Sequence, residues 1–241
     1  MTNKIYYQIC SIAAFLIASN GFTYAQQKSN EVKVVGQMKD VMWKGKLQGK
    51  IDLDTINNKK NLYAFGPVEY LAGEILVIDG KSYKSTVISE TNMKVEETYD
   101  IKAPFLAFAN ISRWTEQKLP DSIQNIKQLE HYLNLQTRND AWPFMFKLAG
   151  TVEEATIHIV NLPKGSTVSS PADAHQGQVN YKLNNEESEI MGFFSTQHKT
   201  IFTHHDTFLH MHLITKDRKK MGHLDEVLFK KGKMKLFLPL D

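Results

Sequence analysis

The spacing of apolar residues along the chain predicts few helices. Met38, Val41 and Met42 fall at positions i, i+3 and i+4, which is typical of a short amphipathic helix with a core-facing stripe. A second helix is predicted after Pro120, with Asp121 as its N-terminal cap. Four apolar residues would share one face of that helix: Ile123, Ile126, Leu129 and Leu133.

Most of the remaining chain has strand-like patterns. Glu74 to Tyr83 is predicted to be a hairpin, because Asp79-Gly80 supplies the positive-φ pair of a type I′ turn. Strands are predicted over 144–148, 155–160, 190–194 and 208–214, with a final hairpin around Lys231-Gly232, and the polar segment 165–189 is predicted to be a surface loop. Strands outnumber helices, so the predicted fold class is α+β with mixed or antiparallel sheets.

The first residues are typical of a cleavable secretory signal. Lys4 precedes an apolar run over 9–18, and Thr23-Tyr24-Ala25 places small residues at positions −3 and −1 of a cut after Ala25. The run is about half of the ~20 residues that span a bilayer, so no membrane anchor is expected after cleavage. The predicted organisation is a signal peptide over 1–25 and one module over 26–241, secreted or periplasmic, with two sheet-based halves that meet near 140–150.

The amino-acid composition limits the partners and the metal ligands that the protein could use. Of 241 residues, 42% are hydrophobic, which is enough for a substantial core, and the net charge of +3 gives no indication of a nucleic-acid partner. The one cysteine, Cys10, lies in the predicted signal peptide and would be lost with it. Any metal in the mature protein must therefore be bound by histidines and carboxylates.

Five of the nine histidines fall between positions 204 and 223. On a strand, His210 and His212 point to the same face because side chains alternate with period two. The polar segment 215–220 can return the chain so that His223 begins a neighbouring strand. Three neutral imidazoles with an open fourth position are typical of a catalytic zinc site.

Two other interpretations of these histidines stay open. They could be ordinary sheet residues on a partly exposed face. The His-x-His spacing would also suit a cupin-like metal barrel, although the glutamate expected a few residues later is replaced by Lys216-Asp217.

Three blocks in a fixed order make the sequence resemble the α-acetolactate decarboxylase family, from about Met38 to Leu240. The blocks are Leu71-Ala72-Gly73-Glu74 with its following apolar strand, Asp79-Gly80 and Tyr83; Gly192-Phe193-Phe194; and the run Phe208-Leu209-His210-Met211-His212-Leu213, Asp217-Arg218 and Gly222-His223-Leu224.

The resemblance implies a zinc lyase, usually a homodimer, that converts 2-hydroxy-2-methyl-3-oxobutanoate to acetoin and CO₂. His210, His212 and His223 would be the zinc ligands, and Glu74 matches the family's active-site glutamate. Zinc would chelate the hydroxyl and ketone oxygens of this 2-hydroxy-3-oxo acid and stabilise the enediolate that remains after CO₂ departs.

The sequence departs from the family at the expected substrate contacts. His158 replaces the family's active-site arginine, and Gly66-Pro67-Val68 replaces a Gly-Thr-Phe segment. The sequence ends at Asp241, before the family's C-terminal extension with a further glutamate. A protonated His158 could meet a substrate carboxylate, but without the bidentate fork of arginine. Two alternatives to the decarboxylase therefore stay open: a non-catalytic, zinc-dependent binding protein for a small oxo acid, and a zinc lyase with another substrate.

Overall fold

A computed structural model describes residues 30–136, 143–203 and 207–240 of the chain. The predicted signal peptide over 1–25 and Cys10 lie outside these residues. Within them the chain forms three α-helices: α1 (Met38–Lys44), α2 (Ile126–Gln136) and α3 (Pro171–Ala174), together with two 3₁₀ turns at Leu53–Thr55 and Glu69–Leu71. None of these helices is long and apolar enough to cross a membrane.

Strands dominate the described chain. They are β1 (Lys33–Val35), β2 (Ile51–Asp52), β3 (Leu62–Pro67), β4 (Glu74–Ile78), β5 (Lys81–Val87), β6 (Met93–Glu97), β7 (Lys102–Ala103), β8 (Leu106–Asn110), β9 (Trp114–Lys118), β10 (Phe144–Ile159), β11 (Val179–Phe194), β12 (Leu209–Thr215) and β13 (Met221–Pro239). The named strands all pair antiparallel. The predicted α+β class with antiparallel sheets is confirmed.

Two main sheets position the site. One has six strands in the order β1-β8-β3-β4-β5-β6, and the other has five in the order β10-β11-β12-β13-β9. Because β13 also pairs with β10, strands β10 to β13 close on themselves as a small barrel. One apolar core contains side chains of both sheets, and a second lies between the barrel strands and α2. The division into two halves near 140–150 stays a prediction.

Several local predictions are confirmed. Met38, Val41 and Met42 are buried on one face of α1. Asp79 and Gly80 have φ angles of 49° and 76°, the left-handed pair that a type I′ turn requires. Most of the apolar stripe of α2 is also present, with Leu129 and Leu133 fully buried and Ile126 packed against their core. Ile123 packs against the same core but precedes the helix, which begins at Ile126 instead of directly after Pro120.

The cap of α2 was predicted at the wrong residue. The Asn125 side chain accepts a hydrogen bond from the Gln128 N–H at 2.9 Å and caps the helix. Asp121 instead accepts from the Gly232 N–H at 3.0 Å and pairs with Lys118. Because Asp121 binds Gly232 and Lys118, its side chain does not cap α2.

Two other predictions are wrong in the barrel. The segment 165–189 is not all loop, since it contains α3 and the first half of β11. In this part of β11 buried and exposed residues alternate: Tyr181 and Leu183 point into the core, and their neighbours face solvent. The many polar residues of the segment hide this pattern in the sequence. The chain also does not reverse at Gly232, because β13 stays paired with β10 on both sides of a bulge there.

Candidate metal centre

β12 carries two of the predicted ligands on the same face. His210 and His212 pack against the ring of Phe65 from β3, each with ring centroids 5.1 Å from it. The opposite face of β12 contributes apolar side chains to the barrel core: Leu209, Met211 and Leu213. The strand alternation therefore turns the histidines toward the six-stranded sheet.

The third predicted ligand reaches the site through a tight turn. After β12 the chain turns at Arg218, whose φ is 61°, and β13 then runs back along β12. His223 pairs directly with His212 across the two strands. The sequence prediction that His223 begins a neighbouring strand is confirmed.

The three rings have a spacing that suits one tetrahedral ion. Ring centroids are 5.3 Å apart for His210 and His212, 5.0 Å for His210 and His223, and 5.6 Å for His212 and His223. Imidazole nitrogens at the zinc distance of about 2.0–2.1 Å in tetrahedral directions put ring centres roughly 5 Å apart. All three histidines are buried.

Hydrogen bonds set the tautomers of two of these rings. His210 Nδ1–H donates to the Phe202 carbonyl at 2.7 Å, and His223 Nδ1–H donates to Asp225 at 3.2 Å. Each ring then has an unprotonated Nε2, the form that binds a metal. The Nδ1 atom of His212 is buried and has no hydrogen-bond partner among the described residues. Three imidazoles are a donor set that zinc accepts.

Glu74, at the start of β4, lies beside this group. Its Oε1 accepts the Val160 N–H at 3.1 Å, and its Oε2 is 3.7 Å from His212 Nε2. Burial raises the pKa of the Glu74 carboxyl well above its ordinary value, the Val160 N–H opposes that shift, and the charge of Asp225 adds to it. A raised pKa favours the protonated form of Glu74, which suits the acid/base role that the family resemblance implies for this residue.

His158 also lies at the site. It pairs across the strands β10 and β13 with His223, and their rings stack at 4.5 Å. Its Nδ1 is 2.8 Å from both carboxylate oxygens of Asp225. Asp225 thus accepts hydrogen bonds from two histidines.

Burial and these contacts shift three pKa values. Burial lowers the pKa of His212 and of His223, and nearby imidazoles lower both further. For Asp225, burial acts to raise the pKa, but hydrogen bonds from His158 and His223 outweigh it and hold the pKa well below the usual range. The site therefore combines neutral imidazoles with an ionised carboxylate.

Two residues beside the histidine site, Asp225 and His175, were not predicted from the sequence. Asp225 follows His223 by two residues on one strand, so period-two alternation could have placed it on the same face. His175 follows α3 in the segment that was predicted to be a loop, with its ring 6.0 Å from that of His158 and its Nδ1–H donating to the Pro171 carbonyl at 2.6 Å. His204 and His205 lie outside the described residues.

A second grouping of ligand types shares His223. Ligand atoms of His158, His223 and Asp225 lie within 4.8 Å of one another. In that grouping the Asp225 oxygens already accept the Nδ1–H groups of both histidines. The three-histidine group has the ring spacing of a tetrahedral site and lies beside the buried Glu74.

Comparison with known structures shows the same fold. The chain resembles acetolactate decarboxylase from Bacillus subtilis subspecies spizizenii with a TM-score of 0.72, at 17% identity over 87% of this chain and 86% of the other. The enzyme from Bacillus subtilis strain 168 gives a TM-score of 0.71, with the same identity and coverage. A Staphylococcus aureus protein of unknown function, described as similar to alpha-acetolactate decarboxylase, gives 0.65 at 15% identity, with the same coverage.

Sequence comparison agrees with this fold. No curated protein sequence matches the chain. The family model for alpha-acetolactate decarboxylase, however, matches residues 33–238, nearly all of the described protein. This chain therefore belongs to the alpha-acetolactate decarboxylase family.

Proposed function

We propose that the protein is an exported zinc-dependent lyase that decarboxylates 2-acetolactate (2-hydroxy-2-methyl-3-oxobutanoate) to acetoin. The observation that carries this proposal is the convergence of His210, His212 and His223, with ring centroids 5.0–5.6 Å apart, beside a buried glutamate. These three residues would hold the zinc. When bound, zinc would supply Lewis acidity to the hydroxyl and ketone oxygens of the substrate and to the negative charge left by departing CO₂.

The protein's own residues would supply orientation and protons. Asp225 keeps the proton of His223 on Nδ1, so that Nε2 faces away from the carboxylate. Glu74, in its buried position next to His212, would hold the proton that the carbanion equivalent takes up after CO₂ loss. Phe65 and Phe202 pack on the histidine rings and exclude water from that side.

Turnover is tested by supplying racemic 2-acetolactate to the purified, zinc-loaded protein and following acetoin and CO₂. We expect acetoin well above its spontaneous rate of formation, and loss of that excess after chelation. Bound zinc at one per chain with no excess acetoin would overturn the decarboxylase. A non-catalytic binding protein or a lyase for another 2-hydroxy-3-oxo acid would then be favoured.

Export is a separate part of the proposal. A C-terminally tagged full chain expressed in a Gram-negative host should appear in the periplasm or medium with Gln26 as its first residue. Retention in the cytoplasm with an intact N-terminus would contradict it. The implied homodimer stays a prediction, for which sedimentation of the purified protein is the direct measurement.

A further inference from the structure

A cavity of about 470 Å³ opens onto the histidine site between two barrel strands. Pairing of β12 with β13 extends as far as His212 and His223. Beyond that pair β13 continues along β10 instead, so the two strands separate. His210 lines one side of the opening and Asp225 the other. The volume lies within the ~300–1,000 Å³ of small-molecule sites.

Helix α2 forms one wall of this cavity. Lys127 and Glu130 line it from one face of the helix, one turn apart. The Glu130 carboxylate accepts hydrogen bonds from the Thr207 hydroxyl and, at 2.7 Å, from the Phe208 N–H. These bonds hold α2 against the residues that lead into β12, and so keep Lys127 on the wall of the cavity that His210 also lines.

The charges around the cavity differ in how far they are already paired. Asp225 is hydrogen-bonded to two histidines, and Glu130 is hydrogen-bonded to the chain before β12. His158, the replacement for the family's arginine, directs its Nδ1–H to Asp225. Lys127 is the one lysine or arginine among the described lining residues, and it forms no ion pair with any other described residue. Among the described lining residues, Lys127 is therefore the lysine whose charge is left to meet an incoming anion.

We propose that this cavity is the subsite for the substrate carboxylate and that the Lys127 ammonium binds it. The inference rests on the proposed function, since it assumes that the hydroxyl and ketone of a 2-hydroxy-3-oxo acid face the three histidines. The ligand class is then a short carboxylate with two adjacent oxygen functions. Lys127 approaches from α2, whereas His158, at the position of the family's arginine, lies on β10.

Decarboxylation constrains the kinetic effect of this contact. The carboxylate loses its charge as CO₂ leaves, and the charge moves toward the histidine site, so Lys127 interacts most strongly with the bound substrate. Removing it should raise KM without lowering kcat, because the lost contact is no stronger in the transition state than in the bound substrate. A residue that acted only on folding or on zinc would not produce that split.

The test uses two non-reacting probes with the zinc-loaded full chain. One is 2,3-dihydroxy-2-methylbutanoate, which has the carboxylate, and the other is 2-methylbutane-2,3-diol, which lacks it. We expect Lys127→Met to weaken carboxylate binding by about tenfold or more, equivalent to ~1.4 kcal/mol, with no change for the diol. Lys127→Arg should retain most of the affinity. Lys81→Met, at an exposed lysine of β5, is the matched control.

The outcomes separate this subsite from the proposed reaction. Zinc content is measured for every variant, and equal zinc with unchanged carboxylate affinity in Lys127→Met overturns the subsite even if acetoin is formed. Lys127-dependent carboxylate binding without acetoin supports the subsite and overturns the decarboxylase. Equal weakening of both probes, or no binding of either by the unmodified protein, also overturns the subsite.

Discussion

The Nδ1 atom of His158 lies 2.8 Å from both oxygens of the Asp225 carboxylate. An ionised carboxylate only accepts hydrogen bonds, so His158 carries its proton on Nδ1. The Asp225 carboxylate therefore links the Nδ1–H of His158 to that of His223.

Replacing Asp225 should weaken the metal site without removing a ligand. In Asp225→Asn, His223 loses a charged acceptor for its Nδ1–H. We expect zinc affinity to fall about 10- to 100-fold, as for other outer partners of metal-binding histidines. Competition with a chromophoric chelator measures it. The control is Glu226→Gln at the exposed neighbour, which should keep full affinity; equal affinities in both variants would contradict the role of Asp225.

Replacing His212 should remove the metal. His212→Ala deletes one of three nitrogen ligands, so we expect dialysed protein to retain little zinc by elemental analysis. His131→Ala, at an exposed histidine of α2, should retain one zinc per chain. Full zinc occupancy in His212→Ala, or zinc loss in His158→Gln instead, would identify the other grouping, around Asp225, as the true site.

Glu74→Gln should separate catalysis from folding. The amide is isosteric but does not transfer protons, so acetoin formation is expected to fall about 10²- to 10⁴-fold with zinc retained. Because burial holds the pKa of Glu74 above its value in the unfolded chain, ionisation opposes folding once the pH exceeds the unfolded value. The metal-free variant should therefore gain Tm relative to the unmodified protein as the pH rises. Unchanged turnover would exclude Glu74 from acid/base work.

Acid should destabilise the metal-free protein. The pKa values of His212 and His223 are lowered in the folded state, below the ordinary value of 6.5. As the pH falls through that value the unfolded chain takes up protons first, so stability is present above it and is lost below it. Urea unfolding across this range measures the loss. His212→Gln removes one of the two groups and should make the unfolding free energy depend less steeply on pH. An identical slope would contradict the lowered pKa of His212 in the folded state.

Gly222→Ala should disturb the site through the backbone. A Cβ atom at Gly222 would lie 2.4 Å from the His158 carbonyl oxygen, so β13 would have to move away from β10. We expect a loss of about 1–3 kcal/mol in unfolding free energy and weaker zinc binding, because His223 is the next residue. Gly232→Ala places its methyl in open space, at a φ of 70°, and should cost about 1 kcal/mol without affecting zinc.

Short-range patterns accounted for much of the fold. The buried face of α1, the stripe of α2 and the Asp79-Gly80 turn all depend on residues within a few positions of one another. Predictions failed where contacts between residues far apart in the sequence determine the local structure. Asp121, for example, accepts a hydrogen bond from the Gly232 N–H instead of capping α2. Likewise β11 forms from a polar segment because β10 and β12 supply its hydrogen-bonding partners on both sides.

The sequence by itself determined which side chains can bind a metal and that His210 and His212 share a face, because strand periodicity is a local property. It also indicated the family through the order of its blocks. Only the tertiary structure decided that Asp225 joins His158 to His223, that Glu74 packs beside His212, and that Lys127 lines the same cavity. Those relationships join residues on different elements, whose distances depend on how the sheets and α2 pack rather than on any spacing along the chain.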